Sequence, residues 1–258
     1  MTIDRRRFLT RAAAAGSALV LAGCDKLSET PWWRATLDSA EAATKNVQRA
    51  ILPRQKMAQE YPASAISKQF RANGSTDPGA GNPAYAALAA SGFADWKLEV
   101  GGLVEQPTAF SLADLHAMPA QTQITRHDCV EGWSCIGEWT GVRLSHVLDQ
   151  VKLKPEAKYI LFRCYDSLEQ TLDNSGQYYE TIDLEDARHP QTILAYGMNG
   201  KTLPVPYGAP LRLRVERQLG YKMAKYLRRI EAVAAFDKIG RGHGGFWEDR
   251  GYEWYAGI

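Results

Sequence analysis

The chain has 258 residues, 45% of them hydrophobic and 23% charged, and carries a net charge of +2. That balance excludes a disordered polymer, and with no basic stripe it gives no footing for nucleic acid as a partner. The length suits one sizeable domain, or one and a half.

Residues 1–23 read as a targeting signal. Asp4-Arg5-Arg6-Arg7-Phe8-Leu9 is similar to a twin-arginine export motif, with Arg5 and Arg6 as the pair. An apolar run over 12–22 follows, shorter than the about 20 residues of a membrane span. The plainer alternative is a short buried helix. Leu21-Ala22-Gly23-Cys24 resembles a bacterial lipobox, whose cleavage would leave Cys24 as a lipidated N-terminus, and Asp25 resembles a signal for retention at the inner membrane. A multiply acylated cysteine anchors stably. The alternative is a soluble periplasmic protein that discards Cys24. The first 23 residues hold four arginines against one aspartate, so without them the chain is near −1. Residues 24–65 read as a tether and N-terminal arm, with a possible helix over 39–51. The globular domain is expected over 66–258.

Along that domain, a Gly/Pro-rich loop over 75–83 precedes a short helix over 84–90. Alternation over 96–100 predicts a half-buried strand, turned over at Gly101-Gly102. Ser111 can cap a helix to Ala117, which Pro119 stops. A strand over 121–125 leads into a loop, and residues 139–142 lead into a helix over 144–151. A strongly apolar strand is expected over 157–164. Residues 192–198 and 203–205 read as a hairpin around Asn199-Gly200. Residues 211–216 alternate again, and the last strand spans 230–236. The Gly- and aromatic-rich end, with Phe246, Trp247, Tyr252, Trp254 and Tyr255, either wraps the domain or lines a pocket mouth; packing is the simpler assignment. Many short strands with few helices and no strand–helix alternation predict an α+β, mixed and mostly β fold.

The most informative stretch is Arg126-His127-Asp128-Cys129-Val130-Glu131-Gly132-Trp133-Ser134. A thiolate binds soft metal centres, and Arg126 nearby is expected to lower the Cys129 pKa. If Cys24 is lipidated, Cys129, Cys135 and Cys164 remain, an odd number that leaves one thiol unpaired. A Cys129–Cys135 disulfide is the competing assignment. A zinc site on Cys129, His127 and Asp128 is disfavoured, because neighbours in one loop rarely converge on a tetrahedral ion.

The segment resembles the start of the catalytic domain in the sulfite oxidase family of molybdopterin enzymes. The resemblance covers residues 93–236 and, more weakly, 66–73. It implies the sulfite-oxidase-type molybdopterin-binding fold, a Mo-molybdopterin cofactor, and Cys129 as the metal ligand. Gly208-Ala209-Pro210-Leu211-Arg212 and Gly220-Tyr221-Lys222-Met223-Ala224-Lys225 match family stretches whose arginine and last lysine contact the cofactor. That implies cofactor contacts at Arg212 and Lys225, with backbone groups of Met223 and Ala224. Taken alone, these basic residues also read as a solvated strand edge. Asn73 matches an asparagine of the N-terminal arm. Cys164 falls where a relative has threonine facing the cofactor, and equally reads as a small buried hydrophobe. Tyr178 matches the tyrosine beside the oxo ligand, with Tyr179 leaving the register open by one. Family arginines that hold a small dianion are replaced here by Ala72, Ser134 and Lys222. Arg126 or His127 could replace a lost cation, or could partner Glu131 or Asp128.

The expectation is an exported mononuclear molybdenum oxidoreductase moving an oxo group to or from a small sulfur-oxo or related substrate. Relatives include an enzyme that reduces methionine sulfoxide in proteins. With no c-type haem attachment motif in the chain, electrons are expected to pass through a periplasmic cytochrome or a membrane haem protein. The expected place is the periplasm, anchored to the inner membrane through Cys24. The alternative is a non-catalytic binding or electron-docking module that keeps the fold.

Overall fold

The computed structural model describes residues 30–54, 56–172 and 175–258; the expected export motif, apolar run and lipobox lie outside them. The chain divides into two compact units after Ile51. In the first, helix α1 spans Pro31–Ile51. It starts earlier than the helix expected over 39–51, because proline is well placed in a first helical turn, where its missing N–H has no partner to lose. Among the described residues no helix is long and apolar enough to cross a membrane.

The second unit starts at Leu52. Its first residues lie along it as an arm: Tyr61 N donates to Ile124 O at 2.9 Å, and Ala58 N donates to Gln191 Oε1 at 2.7 Å. Then follow α2 (Pro83–Ala90), β1 (Lys97–Gly102), β2 (Thr108–Ser111), α3 (Leu112–Ala117), β3 (Ala120–Asp128), β4 (Ser134–Arg143) and α4 (Leu144–Val151). The second half has β5 (Tyr159–Ser167), β6 (Gln177–Asp183), α5 (Leu184–Ala187), β7 (Ile193–Met198), β8 (Lys201–Thr202), β9 (Arg212–Arg214) and β10 (Leu227–Val233). One sheet has the order β2-β1-β10-β5-β6; the other has β3-β4-β7-β8, with β9 also paired to β7. β1 and β10 are parallel, and the other described strand pairs are antiparallel. This is the mixed, mostly β α+β architecture that the sequence implies.

Burial explains the elements. α4 turns Leu144, Val147, Leu148 and Val151, all fully buried, into a core with Trp96, Leu98, Ile160, Phe162 and Ile230. Each such side chain contributes roughly 1.5–3 kcal/mol. A smaller core gathers Phe70, Trp139, Ile193, Met198 and Leu203. Ser111 caps α3 as expected: Asp114 N donates to Ser111 Oγ at 3.1 Å, and Ser111 N returns a bond to Asp114 Oδ2 at 2.8 Å. At the β7–β8 turn both Asn199 (φ 50°) and Gly200 (φ 70°) have the positive φ that a tight hairpin requires. The return strand is Lys201–Thr202 and not 203–205, because Leu203 turns into the smaller core and Pro204 has no N–H to pair.

Two strands depart from the sequence expectation. β4 takes in residues 139–142, read as a lead-in to a helix, and β6 was not anticipated. In β4 the inward positions include Gly137 and Gly141. A Cβ at Gly141 would lie 2.1 Å from Leu194 O, and one at Gly137 would lie 3.1 Å from the Phe70 ring. Close approach excludes side chains where an apolar alternation would otherwise have announced the strand. In β6 the run Tyr178–Ile182 is buried almost throughout, Glu180 and Thr181 included, so no alternation exists to be read.

Candidate active site

β3 and β4 pair to their ends, His127 opposite Cys135 and Asp128 opposite Ser134. The five residues between them form the hairpin tip, closed by Cys129 N donating to Trp133 O at 2.9 Å and Gly132 N to Cys129 O at 3.0 Å. Cys129 is thus fixed where two strands end, on a rigid scaffold. Cys129, Cys135 and Cys164 are all free thiols, so the Cys129–Cys135 disulfide does not form in this structure. Burial raises the Cys129 pKa, and the backbone N–H of Glu131 opposes it. Arg126 does not act on the thiol as expected, because its Nε is engaged by Asp128 Oδ1 at 2.9 Å. The cation nearer to Cys129 is Arg71, which also lies over the Trp133 ring at 5.3 Å.

Cys129 lines a cavity of about 140 Å³ together with Asn73, Tyr178, Met223 and Lys225. Five of the residues chosen from sequence therefore share one wall. β6 settles the tyrosine register: Tyr178 lines the cavity and donates its hydroxyl to Tyr221 O. Tyr179 donates instead to Asp249 Oδ2 at 2.6 Å. Burial, then Glu180, hold the Tyr178 phenol well above its ordinary pKa, so it stays un-ionised.

Arg212 and Lys225 are neighbouring buried cations, of which Lys225 lines the cavity and Arg212 does not. Arg212 donates from Nη1 to Tyr207 O at 2.9 Å and from Nη2 to Met223 O at 3.4 Å, and its Nε has no partner. Burial and the neighbouring Arg214 pull its pKa down to about 9. Lys225 Nζ donates to the carbonyls of Asn73 (2.6 Å), Ser75 (2.5 Å) and Pro206 (3.3 Å). Burial and Arg212 pull its pKa down to about 7. The solvated-edge alternative is thereby excluded, since Arg212 is 1% and Lys225 7% exposed.

Other expectations are corrected. Cys164 is wholly buried in the main core and Ala224 is 1% exposed; neither lines the cavity. Cys164 takes the buried-hydrophobe role, and Ala224 O accepts from Leu213 N at 2.8 Å. His127 is no substitute cation. It is fully buried, its Nδ1 is 3.0 Å from Arg214 Nη1, and burial followed by Arg214 holds its pKa well below the ordinary value. Lys222 is fully buried between Glu180 Oε1 and Glu248 Oε1, each at 2.5 Å, and does not line the cavity.

Sequence reasoning missed Asp166, which also lines the cavity, as do Trp247 and Tyr252 of the end segment that was expected to pack or to line a pocket mouth. Asp166 has an unpartnered Oδ1, and burial, opposed by Lys225, pushes its pKa up to about 7. Trp247 and Tyr252 stack at 5.2 Å, so the C-terminal segment contributes to the cavity mouth as well as packing Phe246 into the core.

A model of the oxidoreductase molybdopterin binding domain matches residues 86–238. The chain belongs to this family of molybdopterin-dependent oxidoreductases, within the sulfite oxidase family, and its cofactor is Mo-molybdopterin. It is 36% identical over 253 residues to a putative protein-methionine-sulfoxide reductase subunit YedZ1 of Azospira oryzae, covering 98% of this chain and 87% of that one. It is 34% identical over 146 residues to the protein-methionine-sulfoxide reductase catalytic subunit MsrP of Campylobacter jejuni, covering 53% of this chain and 48% of that one. The Xanthomonas axonopodis MsrP is 38% identical over 144 residues, with 54% and 45% covered. The chain thus spans about half the length of these MsrP subunits. The sulfane dehydrogenase SoxCD of Paracoccus pantotrophus is similar at a TM-score of 0.48 and 24% identity, over 55% of this chain and 39% of that one.

The residues present fit the cofactor. Arg214 is matched by Glu216 at 2.6 Å, but Arg212 and Lys225 have carbonyl partners and no carboxylate bonded to them. Asp166 offsets Lys225 in part without bonding to it, Arg212 Nε stays unpartnered, and a terminal phosphate would supply the bonded counter-charge that this pair lacks. The thiol of Cys129 supplies one soft donor. Among the described residues no three His, Cys, Asp or Glu side chains converge to hold an ion by themselves.

Proposed function

We propose that the protein is the cofactor-bearing subunit of an exported sulfoxide reductase acting on oxidised methionine, with Cys129 as metal ligand. The chemistry of the cavity wall carries this reading. Of the described lining residues only Lys225 is a cation, and three carbonyls take up its Nζ. Glu131 and Asp166 bring carboxylates, and Tyr178, Tyr221, Trp247 and Tyr252 bring aromatic faces. Such a wall disfavours a small dianion and suits a neutral sulfoxide, whose thioether product gains sulfur–aromatic contact. The names of the relatives point the same way.

The bound cofactor supplies two-electron oxygen-atom transfer. Sulfoxide reduction consumes two electrons and two protons and releases water. Cys129 holds the metal, while Arg212 and Lys225 fix the phosphate end and Asn73 and Met223 flank the cofactor. Un-ionised Tyr178, its proton committed to Tyr221 O, gives the cavity an uncharged aromatic wall. Electrons arrive from a separate haem protein, a periplasmic cytochrome or a membrane subunit. Arg5, Arg6 and Cys24 route the loaded protein to the periplasmic face of the inner membrane.

The test is steady-state turnover by purified holoenzyme, with methionine sulfoxide plus a reduced viologen and with sulfite plus ferricyanide. Sulfoxide reduction at about one molybdenum per chain is expected. It should be lost in Cys129→Ser by more than the roughly 10–100-fold cost of losing an outer partner of a metal, and kept in Cys135→Ser. Sulfite oxidation without sulfoxide reduction overturns the direction and substrate; full activity in Cys129→Ser overturns the ligand.

A further inference from the structure

Asp166 brings a buried carboxylate to the cavity wall. It lies near the end of β5, where pairing with β6 is interrupted between Arg163 and Ser167, an irregularity of the kind that re-aims side chains. It is 3% exposed, its Oδ1 has no hydrogen-bond partner, and it lines the cavity with Cys129 and Tyr178. A buried polar atom without a partner is costly, so its retention beside a reaction cavity calls for a reason. We propose that Asp166 is the acid that protonates the oxygen leaving the sulfoxide. This rests on the sulfoxide reading above and adds to it the source of the protons.

The other ionisable groups of the wall, the Cys129 ligand apart, are committed elsewhere. Tyr178 donates to Tyr221 O, and Tyr221 donates to Glu253 O at 2.6 Å. Lys225 has three N–H groups, and the carbonyls of Asn73, Ser75 and Pro206 take them. Glu131 accepts from Trp133 Nε1 at 2.8 Å, is paired with Arg71 at 3.7 Å and faces solvent. Tyr252 lies at the exposed mouth. Asp166 remains as the buried acid that can give a proton inward.

Its surroundings suit that task. Tyr85, Tyr178 and Tyr226 face it as un-ionised phenols, Cys164 faces it as an un-ionised thiol, and Lys225 faces it as a cation. Burial outweighs Lys225 and pushes the Asp166 pKa up to about 7. The carboxyl therefore holds its proton below that pH and loses it above, and a donor works best when its pKa lies near the working pH. A phosphate bound at Lys225 would offset the cation that opposes burial, so the loaded protein would hold the proton more firmly. In turnover two electrons come from the haem partner and the S–O bond breaks. The oxygen takes one proton from Asp166 and, once water at the mouth has reprotonated the carboxylate, a second. Thioether and water leave, and Asp166 ends protonated as it began.

The experiment compares wild-type, Asp166→Asn and Asp166→Glu holoenzymes, with methionine sulfoxide and a reduced viologen, as turnover per molybdenum across about pH 5–9. Wild-type kcat should fall as pH rises through about 7. Asp166→Asn should lose about 100-fold in kcat, with KM changed by less than about twofold, and should lack that falling limb. Asp166→Glu, which keeps an acid, should come back to within about tenfold of wild type. A carboxylate that merely held the fold would leave the pH profile in place. Infrared spectra give a reading that needs no turnover: wild type should show a protonated carboxyl band that titrates away above about pH 7 and that Asp166→Asn lacks. Absence of that band overturns the proton role alone. So does unchanged turnover per molybdenum in Asp166→Asn, even if its molybdenum content falls. Wild-type enzyme that reduces no methionine sulfoxide overturns the sulfoxide reading, and the proton role with it.

Discussion

Arg212, Arg214 and Lys225 lie close enough to depress one another's proton affinity or that of their neighbours, yet they are not equivalent. Arg214 is a structural cation, bidentate on Glu216 from Nε (2.9 Å) and Nη2 (2.6 Å). On the function proposed above, Arg212 and Lys225 are held for an anion that comes with the cofactor. In apoprotein Lys225 has a pKa of about 7, below the ordinary lysine value. Between those two values the unfolded chain keeps a proton that the folded one has released, so stability rises with pH across that window. Lys225→Met removes the dependence. Urea midpoints of apoprotein at pH 7 and pH 9 should rise more in wild type than in the variant, and the variant should purify with little molybdenum. Equal slopes, or normal molybdenum content, would remove Lys225 from the phosphate site. Cys129, Arg212 and Lys225 were singled out because their surroundings form ordered motifs. Asp166 was not: nothing local distinguishes it from any polar residue at a strand end, and its significance lies in burial beside Lys225.

At the scale of elements, Lys222 joins three segments that are far apart in sequence. Its ammonium binds Glu180 on β6 and Glu248 in the C-terminal segment, with all three side chains fully buried. Burial and the adjacent Glu248 hold the Glu180 pKa well above the ordinary carboxylate range, so this cluster keeps a proton that an exposed pair would shed. The C-terminal segment that carries Trp247 and Tyr252 to the cavity is thereby clamped to the sheet. Lys222→Met leaves two buried carboxylates without their cation. It should cost about 3–5 kcal/mol, read as a fall in the urea midpoint. A substrate-binding lysine would instead raise KM and leave stability alone, and that outcome would restore the role expected from sequence. The same packing explains the strands that went unread. β6 is buried along nearly its whole length, its polar residues matched by Lys222 and by Gly244 O, which accepts from Thr181. β4 uses glycine where its neighbours leave no room. Strands with one solvated face, such as β1, were anticipated because alternation survives there.

For the molecule as a whole, the cavity draws walls from the arm at Asn73–Ser75, the β3–β4 tip, the ends of β5 and β6, the turn at Gly220 and the C-terminal segment. No shorter stretch of chain holds that set, so the site exists only once the fold is complete. Binding that favours only the folded chain adds to its stability by mass action. On the export proposed above, a cofactor made inside the cell would therefore have to be enclosed before translocation. The paired Arg5 and Arg6 would direct it to a route that carries folded proteins, which makes loading and export successive steps. Arg5→Lys with Arg6→Lys should separate them. The variant is expected to accumulate in the cytoplasm with about one molybdenum per chain and normal turnover with an artificial donor, while the periplasmic fraction is empty. Fractionation followed by elemental analysis reads both quantities. Unimpaired export would end the targeting assignment for residues 1–23, and cytoplasmic protein without molybdenum would show that loading does not precede translocation.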